Sequence, residues 1–246
     1  MTLAEILHPS CALFLDFDGT MVDLAPQPNA VQVPQPLIRV LRELNETLQG
    51  AVAVISGRPI DQIDGFLRPL QLAVAGVHGA ERRSADGTVH LLRTHPLDQI
   101  EESACSLAAA NPGLLVENKR GSIALHYRQR PELEDLCLRT MQQAVDESPG
   151  MTLLRGKMVA EAKPGGASKG QAIEAFLAEP PFAGRRAVFV GDDITDEHGF
   201  ATVQRLGGMG IKVGEGPTVA WRRLSDPAAL RQELEAVVAA RMTRNA

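Results

Sequence analysis

Cysteine is scarce in this 246-residue chain, basic runs and long apolar stretches are missing, and no segment repeats at a fixed period. Each shortage closes a class of explanation. The three cysteines, Cys11, Cys105 and Cys137, are odd in number, far apart and set among apolar neighbours, so neither a disulfide framework nor a cysteine metal site is expected. They read as reduced core residues of a cytoplasmic protein. Net charge is −5 and no basic run occurs, which argues against nucleic acid as a partner while leaving room for a small anion held by a local cluster. The opening stretch MTLAEILHPSCALFLDF lacks a basic start and is interrupted by Glu5, Asp16 and Asp18, so neither a signal peptide nor a membrane span is expected.

What is present is ordinary for a soluble protein: 44% apolar and 22% charged residues, with length enough for one large domain or a core carrying a smaller one. Short, nearly continuous apolar runs at 11–17, 51–55, 72–75 and 187–190, with a weaker one at 210–213, read as strands covered on both faces. Helical patterns lie between them. Leu37, Ile38, Leu41, Leu44 and Leu48 share one face of a helix starting near Pro36, and Ser168 with Gln171 forms a capping box before Ala172, Ile173, Phe176 and Leu177. Strands alternating with helices predict an α/β fold with a doubly wound parallel sheet. Between Pro96 and Pro164 the pattern changes. Runs at 114–119 and 122–128 flank an Arg120-Gly121 turn, and runs at 151–155 and 158–163 flank a Gly156-Lys157 turn, each pair preceded by a helical segment. This predicts an inserted α+β cap at 96–164 within a core of 1–95 and 165–246, with hinges near Thr94–Pro96 and Pro164–Gly166.

In open parallel sheets ligands gather at the carboxyl ends of the strands. The first strand ends in Asp16-Phe-Asp18-Gly-Thr20, the second in Ser56-Gly-Arg58-Pro59 and the third in Gly76-Val-His78-Gly79; the strand at 187–190 ends in Gly191-Asp192-Asp193. Lys169 opens a helix, where its ammonium and the positive helix end could meet an anion. Converging carboxylates repel each other unless a cation joins them, and oxygen ligands suit Mg²⁺ bound together with a phosphate. Ser56 would then donate to that phosphate and Lys169 would clamp it. Two aspartates one residue apart allow one carboxylate to attack phosphorus and the other to handle the proton of the leaving alcohol and of the attacking water. Asp193 reads as a helix cap, whereas Asp196 fits a supporting acid or a first-turn helix charge equally well.

The DFDGT stretch, the strand-terminal serine, the helix-opening lysine and the later GDD together resemble the haloacid dehalogenase superfamily of phosphohydrolases. That resemblance implies Asp16 as nucleophile and Mg²⁺ ligand, and Asp18 as acid/base and ligand through its carbonyl. It implies Ser56 and Lys169 as the catalytic phosphate-binding pair and Asp192 as the remaining metal ligand. More narrowly, SGRP at 56–59, GVHGAE at 76–81, VENK at 116–119, HYR at 126–128, EAKP at 161–164, SKG at 168–170 and GDDITDE at 191–197 are similar to the trehalose-6-phosphate phosphatase family. The matches run in order from Asp16 to Gly214. They imply a cap that binds sugar through Glu117, Lys119 and Glu161, beside Gly57, Arg58 and His78 of the core. His198-Gly199 departs from the family pattern and is expected to loosen the first turn of its helix. The resulting expectation is a monomeric, Mg²⁺-dependent phosphatase of a small sugar phosphate, with trehalose 6-phosphate as substrate. The rivals are a phosphatase for sucrose phosphate or another sugar phosphate, and a phospho-accepting signalling domain; the second aspartate and the cap argue against the latter.

Overall fold

A computed structural model of the chain describes residues 1–25, 27, 30–92, 97–119 and 121–242. They fall into two compact units, Met1–His90 with Ser168–Ala246, and Leu91–Ala167. The expected hinge at Thr94–Pro96 and the Arg120 half of the first hairpin turn lie outside the described residues.

The chain enters the first unit through α1 (Leu3–Ile6), β1 (Cys11–Leu15), α2 (Gln35–Thr47), β2 (Val52–Ile55), α3 (Ile60–Leu67), β3 (Ala73–Gly76), β4 (Glu81–Arg83) and β5 (Val89–Leu91). The helix near Pro36 is there: α2 buries Leu37, Ile38, Val40, Leu41 and Leu44, the stripe its spacing predicts. It stops where Gln49 and Gly50 turn to φ 54° and 86° and Gly50 N–H reaches back to the Asn45 carbonyl.

The second unit holds α4 (Asp98–Ala110), β6 (Leu115–Lys119), β7 (Ser122–His126), α5 (Glu134–Asp146), β8 (Met151–Gly156) and β9 (Val159–Pro164). Its strands form an antiparallel sheet in the order β6-β7-β9-β8. Ile123, Leu125, Ala160 and Ala162 pack with Ile100 and Ala104 of α4 and Cys137, Met141, Ala144 and Val145 of α5. Alternation along the strands sends Glu117, Lys119, Ser122, His126, Glu161 and Lys163 to the other face. The second hairpin turns one residue later than its glycine suggests. Gly156 still pairs with Val159, and the turn is Lys157-Met158, with Met158 at φ 63°. The unit extends to Ala167 because Gly165 N–H donates to the Gly150 carbonyl at 2.7 Å and the Lys163 ammonium donates to the Ala167 carbonyl.

The chain then completes the first unit with α6 (Lys169–Leu177), β10 (Arg186–Gly191), α7 (Glu197–Arg205), β11 (Met209–Val213), β12 (Arg222–Leu224) and α8 (Pro227–Met242). Among the described residues eight strands make one sheet in the order β12-β11-β10-β1-β2-β3-β4-β5. From β12 to β3 every pairing is parallel, and β4 turns back antiparallel on β3. The central strands β1, β2 and β3 are buried at every position, which is why they read as unbroken apolar runs, and β11 is buried throughout although it carries Lys212. Phe14, Phe176 and Phe182 pack as one aromatic cluster on this sheet, with ring centroids 5.1–6.1 Å apart. Gly199 lies in the first turn of α7, which runs from Glu197 to Arg205. An added β-carbon there would meet the Phe189 ring at 2.3 Å, so the glycine lets α7 press directly onto β10. Among the described residues no helix is long and apolar enough to cross a membrane.

Candidate active site

Main-chain bonds of the sheet continue one residue past the strands and fix where the site begins. Asp16 N–H donates to the Val190 carbonyl at 2.9 Å, extending the β1–β10 ladder, and Ser56 N–H donates to Ala75 at 2.8 Å, extending β2–β3. Both residues are buried. The carboxyl ends of β10, β1 and β2 therefore present Asp192, Asp16 and Ser56 in consecutive positions along the sheet.

Asp16 is held from both sides. Lys169 Nζ donates to its Oδ1 at 2.6 Å and Thr20 Oγ1 donates to its Oδ2 at 3.0 Å. Lys169 reaches it because Ser168 caps α6, accepting Gln171 N–H at 3.2 Å, and so opens the helix where the sequence places it. The ammonium is buried and also donates to Asp196 Oδ1 at 2.7 Å. Burial alone would lower the Lys169 pKa, but Asp16 and Asp196 beside it more than reverse that and hold it above the usual lysine range. Thr20 is more than a turn residue, since its hydroxyl also lies 3.1 Å from Asp192 Oδ1.

Asp16, Asp192 and Asp196 bring ligand oxygens within 4.8 Å of one another. Burial pushes the Asp16 carboxyl well above its usual range; Lys169 opposes this, while Asp196 and Asp192 add to it. Burial first, then Asp196, lift Asp192 to about 6. Acids this close and this resistant to ionisation have too little positive charge around them, and their hard oxygen donors fit a divalent cation. Glycines make the convergence possible. A β-carbon on Gly19 would sit 2.2 Å from Asp192 Oδ2, and one on Gly191 would sit 2.3 Å from Asp196 Cγ.

The structure does not put the Asp18 carboxylate in this cluster. Arg58 grips it bidentately, Nε to Oδ2 at 2.5 Å and the terminal nitrogen to Oδ1 at 2.7 Å. The guanidinium itself lies over Phe66 and Phe17, 5.1 and 5.9 Å from their ring centroids. Ser56 Oγ accepts Arg58 N–H at 3.1 Å, and the Ser56 carbonyl accepts His78 N–H at 2.9 Å. His78 is buried, and Val77 and His78 are left-handed at φ 48° and 55°, a conformation that is costly for a β-branched valine. Gly57 leaves room for the imidazole, because a β-carbon there would come within 2.7 Å of His78 Nε2. Ser56, Gly57, Arg58 and His78 are thus brought together at one strand end. Glu117, Lys119 and Glu161 belong to the second unit and form a network of their own there.

Five further residues complete the hydrogen-bond networks of the two units. Asp196, fully buried, accepts the N–H groups of Asp192 and Asp193 at 3.0 and 2.9 Å besides Lys169, so it is the supporting acid rather than a solvated helix charge. Asp193 caps the short turn that follows, as its residue type suggests. Lys212 lies buried in β11 and its ammonium meets the Asp192 carbonyl; a lysine within the apolar run GIKVG was the signal, since a buried cation needs a partner. Glu81 accepts Ile60 N–H at 2.6 Å at the start of α3. Ser122 donates to Glu161 Oε1 at 2.7 Å.

The family model for trehalose-phosphatase matches residues 14–230. The chain is 43% identical over 232 residues to a trehalose-6-phosphate phosphatase of Escherichia coli (strain K12), covering 92% of this chain and 86% of that one. It superposes with a TM-score of 0.84 and 20% identity on the C-terminal domain of a trehalose-6-phosphate phosphatase of C. albicans, over 94% and 92% of the two chains. A haloacid dehalogenase-like hydrolase from B. subtilis shares the fold at a TM-score of 0.66 and 15% identity, covering 91% of this chain and 99% of that one. With a family match over most of its length and a strand-end acid cluster to go with it, the chain belongs to the trehalose-phosphatase family of phosphoric monoester hydrolases.

Proposed function

We propose that the chain hydrolyses trehalose 6-phosphate to trehalose and inorganic phosphate in the cytoplasm, with Mg²⁺ as cofactor and an aspartyl-phosphate on Asp16. The observation that carries the chemistry is the buried Asp16 carboxylate, gripped by Lys169 at 2.6 Å and Thr20 at 3.0 Å at the end of β1. The substrate rests on the kinship with the Escherichia coli phosphatase.

An Asp16 oxygen attacks phosphorus as the bond to the sugar oxygen breaks, and that oxygen takes its proton from Asp18. Asp18, now a carboxylate, removes a proton from water. The water oxygen attacks the phosphorus of the intermediate and Asp16 leaves as a carboxylate. Asp16 and Asp192, with the Asp18 carbonyl, would hold Mg²⁺, which when bound supplies positive charge to the phosphate oxygens. Ser56 and Lys169 take the remaining phosphate oxygens. Arg58 now occupies both oxygens of Asp18. Proton transfer therefore requires that pair to open, and a phosphate arriving beside Ser56 gives Arg58 an alternative anion. Asp196 keeps Lys169 and the main chain of Asp192 in place throughout. On the second unit, Glu117, Lys119 and Glu161 contact sugar hydroxyls, making that unit the cap that sets specificity.

Phosphate release with Mg²⁺ from trehalose 6-phosphate, sucrose 6-phosphate and glucose 6-phosphate, beside labelling by acetyl phosphate, tests this reading. A strong preference for trehalose 6-phosphate is expected. Broad or different preference would discard the substrate and keep the chemistry; stable labelling without turnover would discard both.

A further inference from the structure

Two glutamates share the helix-free face of the second sheet, and they are anchored unequally. Both lie opposite Ala124 in register, Glu117 on β6 and Glu161 on β9. Glu161 is almost fully buried and accepts from Ser122 at 2.7 Å and from Lys119 at 3.2 Å. The Glu117 side chain is 23% exposed and stands 3.9 Å from Lys119, beyond hydrogen-bond reach. Its hydrogen-bond partner among the described residues is His126, whose Nε2 is 2.9 Å from Oε2. A carboxylate only accepts, so Nε2 carries the proton. Burial would raise the Glu117 carboxyl, but the bond from His126 and the charge of Lys119 hold it below the usual range, in the form that can accept from a hydroxyl.

We propose that His126 is a positioning residue for the sugar-binding carboxylate of Glu117: it keeps Oε2 from closing onto Lys119, so that the carboxylate stays available to a hydroxyl. The role rests on the substrate reading above. Without the imidazole, Lys119 two residues along the same strand face is the nearest cation, and Glu117 closes onto it. Two groups able to bind sugar then neutralise each other. His126 itself need not touch the sugar.

Steady-state kinetics on trehalose 6-phosphate and on p-nitrophenyl phosphate, which carries no sugar, tests this with His126→Ala, His126→Gln, Glu117→Ala and the double variant His126→Ala/Glu117→Ala. His126→Ala is expected to raise KM for the sugar phosphate on the order of tenfold, the scale of one hydrogen bond to a charged group, with the ester unaffected. His126→Gln, which retains an N–H donor, recovers most of the loss. In the Glu117→Ala background the histidine change adds less than about twofold, because its effect passes through that carboxylate. Equal losses on both substrates, no recovery by glutamine, or the same tenfold loss in the Glu117→Ala background would each overturn the positioning role. If the unaltered protein shows no preference for trehalose 6-phosphate, the substrate reading falls and this inference falls with it.

Discussion

Replacing Gly19 with alanine separates the site from the fold. Gly19 has φ 78°, in the left-handed region, and an added β-carbon would lie 2.2 Å from Asp192 Oδ2 and 2.6 Å from its Cγ. Ordinary van der Waals contact begins near 3.4 Å, so the carboxylate must retreat by more than an ångström. The left-handed backbone costs an alanine about 1–2 kcal/mol, a fall of roughly 2–8 °C in melting temperature for a unit of this size. The chemistry should suffer far more. Asp192 would leave the Thr20 hydroxyl and the oxygen cluster it shares with Asp16 and Asp196, and a displacement of this kind costs roughly a hundredfold in turnover. Thermal melting and kcat on one preparation, assayed well below the melting point, decide the matter. A variant with near-normal kcat would refute the placement of Asp192. Loss of activity only in step with unfolding would refute the claim that the glycine serves the site.

Asp16→Asn is expected to abolish phosphate release from every substrate while the chain stays folded, since the Asp16 N–H bond to Val190 is untouched; retained activity would remove the proposed nucleophile. A chelator should stop phosphate release and added Mg²⁺ should restore it; full activity in the chelator would discard the metal. Tyr127, buried and donating to Glu134 Oε1 at 2.9 Å, is pushed up to about 12 by burial and then by that carboxylate. The unfolded chain would release this proton near pH 10, so the folded state should lose stability from about pH 10 to 12. Melting followed across that range should lose this part of its pH dependence in Tyr127→Phe, and an unchanged profile would refute the assignment.

Strands buried on both faces were the easiest to read. Those of the central sheet announce themselves as apolar runs, and the acids, serine and lysine that follow them stand where parallel sheets place their ligands. The edges were not legible. Arg222–Leu224 is a short, charged strand at one margin of the sheet, where one free side removes the need for apolar residues, and Glu81–Arg83 and Val89–Leu91 are equally short at the other end. The second hairpin turn was expected one residue early because glycine is the ordinary left-handed residue, whereas here Met158 adopts that conformation. In the site, residue types showed which groups could act but not which groups they answer to. Nothing in the spacing of Asp18 and Arg58, forty residues apart, announces their bidentate pair. Asp196 was ambiguous for the same reason: only the fold shows that its oxygens serve Lys169 and two backbone amides.

The ladder that runs one residue past β1 and β2 has a consequence for descent. At Asp16 and Ser56 the sheet is bonded through peptide groups, which every residue but proline carries, while the proposed chemistry is written in the side chains. Inheritance of shape and inheritance of chemistry are thereby uncoupled at these positions. A lineage could exchange the aspartate, lose turnover in one step, and still pass on a folded domain that keeps Ser56 and Lys169 for a phosphorylated sugar. The architecture leaves open a short path from catalyst to sensor.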